Sequence, residues 1–265
     1  MTKFGIIIAI EEYSNSTLPQ LSNIEFALND ANSIKTAFID QLYIENKNLI
    51  FLTNEAADVG NIKNSLEILM NKMNDGDECY FYYVGHGFNA KSQNRITCWD
   101  TDNSNLEESS LALQEILLIP LRTKGCSKSF IFIDSSAEEL KSINKLRSAA
   151  GNLNEKEFSE LVRDFPGHSF FLSCYPGERS FSSAKAKHGI WAHHLINAMN
   201  GKEDNAIDKN NAITNISLNN FLSSKIPQYI TKTMLINDRQ SPFGVINDSL
   251  NSPLIKFESD DDELE

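Results

Sequence analysis

The sequence predicts an α/β domain with a mainly parallel sheet of about six strands and helices on both faces. Three observations carry that reading. Short apolar runs of strand length alternate with segments whose apolar residues recur at helical spacing. Several of the runs are continuously apolar, which suits strands covered on both faces. The order strand, helix, strand requires crossover connections, and crossovers join parallel neighbours.

The first strand is read at residues 4–10, which end against Glu11 and Glu12. That run is too short to span a membrane and lacks a small-residue cleavage site, so it is not read as a leader. Leu28, Ala31, Ile34 and Phe38 mark a helix, and residues 49–53 a strand. Ile62, Leu66, Leu69, Met70 and Met73 mark the next helix, followed by strands at 79–84 and 130–133. Phe158, Leu161, Val162 and Phe165 form a further helical stripe, which Asn154 is placed to cap while Glu157 closes a capping box. A strand at 169–172 and a helix at about 190–199 follow, with Gly201 just past the helix end. Residues 102–109 and 138–153 read as mobile loops. With no internal repeat and no Pro- or Gly-rich linker, one domain is expected over residues 1–258, followed by a solvated acidic tail at 259–265.

A formal net charge of -12 argues against attachment to nucleic acid or to an anionic membrane, both of which are polyanions. No apolar run approaches the about 18 residues of a membrane helix, so a cytoplasmic protein is expected. Cys79, Cys98, Cys126 and Cys174 show neither CxxC nor CxxH spacing, which speaks against a disulfide scaffold and a structural zinc site. His188, His193 and His194, with Cys174, invite a metal reading. Adjacent histidines point to different helix faces, however, and the spacing fits no common site, so no metal is expected. No glycine-rich phosphate loop follows any strand, which leaves a nucleotide-binding protein poorly supported, and no cofactor is expected.

Two loops carry the chemistry. Gly85-His86-Gly87 follows the strand at 79–84, and Asp134-Ser135-Ser136 follows the strand at 130–133. If those strands are parallel members of one sheet, both loops leave its carboxyl edge, where open α/β sheets place ligands. Such a pair suggests acyl transfer, with His86 as general base and the side chain at 136 as nucleophile. The glycines leave room for a substrate and free the Gly87 N–H to face an oxyanion. Asp134 reads equally as a pocket acid or as a local cap, and Asp30 as a pocket acid or as part of a polar helix face.

Tyr83-Val84-Gly85-His86-Gly87 resembles the histidine motif of the caspase-like peptidases, especially metacaspases and their bacterial relatives. Phe132-Ile133-Asp134-Ser135-Ser136 resembles their Asp-x-Cys motif with serine for cysteine. The likeness extends to Asn29-Asp30-Ala31, to the segment from Phe171 through Glu178, to His188-Gly189-Ile190-Trp191 and to Gln240-Ser241-Pro242.

This resemblance implies a caspase-hemoglobinase-like three-layer sandwich. Residues 1–137 would form a large-subunit-like part, 138–153 an inter-subunit-like loop and 154–258 a small-subunit-like part. It implies an endopeptidase with His86 and Ser136 as the catalytic pair and the N–H groups of Gly87 and Ser136 as the oxyanion hole. Asp30 and Asp134 match acidic pocket positions, so the partner implied is a protein or peptide with Arg or Lys before the scissile bond. Lys141, Lys145 and Arg147 are implied self-cleavage sites. A role in regulated bacterial killing or antiphage defence is implied by analogy, with an upstream activator, protein or small molecule, left open.

Two departures stand out. Val84 occupies a position that is often serine in metacaspases, and Ser136 replaces a thiol with a much weaker nucleophile. Ser136 reads as a deliberate exchange that silences the enzyme, as a natural pseudoprotease that binds a peptide or partner, or as a working serine variant. The first is favoured because the rest of the site is retained.

Overall fold

The computed structural model describes residues 1–14, 21–135, 153–233 and 239–258. The chain opens with β1 (Lys3–Ala9), α1 (Ala27–Asp40), β2 (Leu49–Thr53), α2 (Val59–Lys72) and β3 (Glu78–Val84). Three short strands follow: β4 (Gly87–Ala90), β5 (Gln93–Thr97) and β6 (Ser110–Ala112). A π-helical turn at Gln114–Leu118 leads through α3 (Ile119–Thr123) to β7 (Lys128–Asp134). The second half holds α4 (Glu155–Asp164), β8 (His168–Leu172), β9 (Ser182–Ser183), β10 (His188–Gly189) and α5 (Ile190–Met199). It continues with β11 (Ala212–Thr214), α6 (Asn215–Thr233), β12 (Phe243–Val245) and β13 (Pro253–Lys256).

Six strands form the central sheet in the order β12-β8-β7-β3-β1-β2. All neighbours are parallel except β12, which runs antiparallel to β8. The apolar runs have the expected cause: β1 buries Phe4, Ile6 and Ile8 under one layer and Ile7 and Ala9 under the other. The first layer holds α2, α4 and the β4–β6 sheet, and the second holds α1, α5 and α6. The mainly parallel sheet between two layers is the fold expected.

β1 lies between β2 and β3, so the chain leaves it first to one side and then to the other. Such a switch point opens a crevice at the carboxyl edge of the strands. There α1 begins at a left-handed Phe26 (φ 66°) that supplies no side-chain cap. The Glu11 carboxylate, just beyond β1, accepts the Leu28 N–H instead (3.1 Å). This acid at the helix N-terminus sets the first turn of α1, with Asp30, against the strand ends. At the far end of α5, Gly201 takes the left-handed turn (φ 69°) expected of a helix terminator.

Two expectations are corrected. Asn154 does cap α4, accepting the Lys156 N–H at 2.9 Å, but no capping box forms. The Asn154 N–H already donates to Asn94 Oδ1 (2.6 Å), and Glu157 reaches across to accept the Asn94 N–H (2.6 Å). Residues 102–109 are not a loose loop. Arg95 donates to the carbonyls of Glu107 (2.6 Å) and Ser110 (2.9 Å), and the Asp102 N–H is held by Ser109 Oγ (2.9 Å). No helix among the described residues is long and apolar enough to cross a membrane. The acidic tail at 259–265 lies outside the described residues.

Candidate active site

β3 and β7 end in register, with Val84 opposite Asp134, so the two loops leave the sheet side by side. The ladder continues one step further, because the Gly85 N–H donates to the Asp134 carbonyl (3.3 Å). Gly85 is required by packing: a Cβ there would run into the Tyr83 hydroxyl. That hydroxyl donates to the His86 carbonyl (2.7 Å), which also accepts the Thr97 N–H (3.0 Å). The His86 N–H donates to Tyr13 Oη (2.9 Å), and the Tyr13 ring stacks on the imidazole at 5.2 Å and 21°. The imidazole is therefore fixed from both backbone sides and on one face.

Its tautomer follows from its partner. Nε2 lies 2.9 Å from the Ser22 carbonyl oxygen, which can only accept, so Nε2 carries the proton. In the neutral ring the lone pair is then on Nδ1. Thr97 bonds the carbonyl of His86, so Gly87 and Ile96 form the pair of the β4–β5 ladder that exchanges no hydrogen bonds. The Gly87 N–H thus points away from β5. The space beside Gly87 is taken not by open cleft but by Ser135, whose Oγ would stand 2.6 Å from a Cβ at Gly87.

Asp30 and Asp134 face each other across Gly189. Each directs Oδ2 at the place a Gly189 Cβ would occupy, at 3.1 Å and 3.2 Å respectively. Asp30 is 1% exposed, so it is not part of a solvated helix face, and Asp134 is buried as well. Asp30 Oδ1 meets His188 Nδ1 at 2.6 Å, and the Gly189 N–H donates to both oxygens at 3.3 Å and 3.1 Å. Asp134 Oδ1 accepts the Ser180 hydroxyl (2.7 Å), which accepts in turn from Gln240 Nε2 (3.1 Å). Burial pushes the Asp30 carboxyl up to about 7, and the neighbouring Asp134 charge adds to it against the hydrogen bond from His188. Burial also raises Asp134, opposed by the hydroxyls of Ser180 and Ser173. Both acids line a cleft of about 330 Å³ whose wall also carries Glu25, His86, Ser135 and Arg179.

A fold alone does not fix a family, and the sequence supplies what decides it. Residues 2–235 match the family described as the caspase domain. The chain belongs to this caspase-like peptidase family. A comparison with curated proteins returns no match.

Within this family framework, His86, Asp30 and Asp134 share one cleft. Ser136, the residue that would be the nucleophile, lies outside the described residues, as do Lys141, Lys145 and Arg147. The histidines weighed as metal ligands have other partners: His188 binds Asp30, and His194 Nδ1 meets Glu203 Oε1 (3.1 Å). Cys174 is elsewhere, with its thiol 3.5 Å from the Ser135 carbonyl. Among the described residues no three metal-ligating side chains converge. Sequence reasoning missed Ser22, Ser180, Gln240 and the pairing of His188 with Asp30. The segments His188-Gly189 and Gln240-Ser241-Pro242, noted for their likeness, gave a signal without a role.

Proposed function

We propose that the chain is an endopeptidase that cleaves after Arg or Lys, with His86 as general base and position 136 as nucleophile. One observation carries this reading: two buried carboxylates aim at one spot in the cleft that His86 lines. A guanidinium or ammonium there meets two carboxylate oxygens through charge-assisted hydrogen bonds, and the missing Cβ at Gly189 keeps the spot open. Asp30 and Asp134 are the substrate-binding residues of this proposal.

The chemistry follows from the tautomer of His86. The nucleophile attacks the scissile carbonyl and its proton passes to Nδ1, while Nε2–H stays on the Ser22 carbonyl. The oxyanion of the tetrahedral intermediate is received by the N–H groups of Gly87 and residue 136. The imidazolium then protonates the leaving amine, and water hydrolyses the acyl-enzyme by the same proton path. Arg and Lys bonds in the loop at 138–153 (Lys141, Lys145, Arg147) suit the same pocket and are proposed self-cleavage sites separating parts 1–137 and 154–258. The cellular role proposed with it, a regulated effector of killing or antiphage defence, rests on family likeness.

With serine at 136 the turnover expected is very low, because the hydroxyl is a far weaker nucleophile than a thiolate. The test is a Ser136→Cys chain profiled against a peptide library, alongside the same chain with His86→Ala. Hydrolysis confined to bonds after Arg and Lys, and lost with His86→Ala, supports the reading. Tight peptide binding without turnover would instead favour a pseudoprotease that acts as a binding module.

A further inference from the structure

His188 takes no part in acyl transfer, yet it makes the shortest contact to either pocket acid. The two residues are 158 positions apart in sequence, and Nδ1 stands 2.6 Å from Asp30 Oδ1. Two lone-pair atoms at that distance hold a proton between them. His188 stays partly open to solvent, at 21% side-chain exposure against 2% for Asp30, so it can exchange that proton with water. With Oδ1 bound to His188, Oδ2 is the oxygen left to aim at the site beside Gly189. Asp134 is arranged the same way, with Oδ1 tied to Ser180 and Oδ2 aimed inward. The two tethers differ in kind: a hydroxyl orients a carboxylate as a neutral donor, whereas an imidazole is a ring that can share a proton with it.

We propose that His188 is a positioning residue that sets the pocket's selectivity for a basic side chain, by fixing the Asp30 rotamer and by keeping that carboxylate ionised beside Asp134. The proposal rests on the reading above of the cleft as a basic-residue pocket.

The electrostatics make such a device necessary. Two acids facing one buried point favour protonation of one of them, through lost hydration and mutual repulsion. Burial lifts the Asp30 carboxyl to about 7, and the bond from His188 is the largest influence pulling it down. Several other groups face this pair. Asp134 approaches from β7 and the Tyr82 hydroxyl from β3, both felt across the buried site. Glu25, His86 and Arg179 line the cleft. Behind His188, His193 of α5 lies with ring centroids 6.1 Å apart, and burial first, then its histidine neighbours, disfavour its charged form. Among the described residues, His188 and the Gly189 N–H hydrogen-bond Asp30. Removing the imidazole therefore raises Asp30 further. At neutral pH the pocket then loses negative charge, and alkaline pH restores it.

The test needs no turnover and uses the full chain with Ser136. A fluorescent peptide ending in arginine and the same peptide ending in citrulline, its neutral isostere, are titrated by anisotropy between pH 6 and 9. The variants are His188→Ala and His188→Asn, whose amide N–H can stand where Nδ1–H stands. The parent is expected to prefer arginine. His188→Ala is expected to bind arginine about tenfold more weakly at pH 7, to leave citrulline within about twofold, and to recover most of the loss by pH 9. His188→Asn is expected to keep arginine affinity within about threefold at pH 9 and to shift its pH midpoint upward. An unchanged arginine affinity in His188→Ala, or an equal loss for both peptides at every pH, overturns the proposal. Should the alanine variant fail to fold, the asparagine variant decides, and an unmoved midpoint overturns it. A parent that does not distinguish arginine from citrulline refutes the basic-pocket reading itself, an outcome distinct from failure of His188 alone.

Discussion

An acid buried as deeply as Asp30 costs the fold stability whenever it is ionised, a cost that the proposed role in binding would account for. Its carboxyl, about 7 in the folded chain, lies above the ordinary 3.8. The folded state therefore binds the proton more tightly than the unfolded chain does. The stability that this group contributes is fully present below about pH 4 and is lost as pH rises through about 7. The melting temperature of the parent is accordingly expected to fall more between pH 5 and pH 8 than that of Asp30→Asn. Thermal unfolding of both proteins across that range checks it, and equal slopes would remove Asp30 as the source. The same variant should lose arginine binding, which ties the stability cost to the function.

The elements that place these residues were legible to different degrees in the sequence. β1, β3 and β7 could be read because strands covered on both faces are apolar throughout, as in Ile6 to Ile8 or Phe130 to Ile133. Their carboxyl ends carried His86 and Asp134 into view. The β4–β6 sheet could not be read, since its three- to five-residue strands, such as Gln93–Thr97, carry polar residues and form no continuous apolar run. α6 was hidden by Pro227 in its interior. The capping box failed because a tertiary partner, Asn94, outcompeted a local one. Gly85 illustrates how an element serves the site, as its missing Cβ lets the Tyr83 hydroxyl reach the His86 carbonyl. Gly85→Ala is expected to destabilise the chain by about 1–3 kcal/mol through overpacking. In a Ser136→Cys background it should also lower peptidase activity by more than the loss of folded protein explains. Chemical denaturation with activity normalised to the folded fraction measures both, and full specific activity would contradict the account.

At the scale of the whole molecule, the switch point beside β1 brings together residues that are distant in sequence: Asp30 after β1, His86 after β3, Asp134 at the end of β7 and His188 before α5. The first three could be proposed from position at strand or helix ends together with family resemblance. The fourth could not, because a hydrogen bond spanning 158 residues leaves no local pattern. The net charge of -12 is consistent with the proposed preference for cationic side chains and ill suited to polyanions. The most direct measurement of the central claim is the hydrolysis profile of the Ser136→Cys chain on peptides that vary only at the residue before the scissile bond. Cleavage is expected after Arg and Lys and none after Asp or Leu. Cleavage that ignores the charge of that residue, or that favours an acidic one, would contradict it.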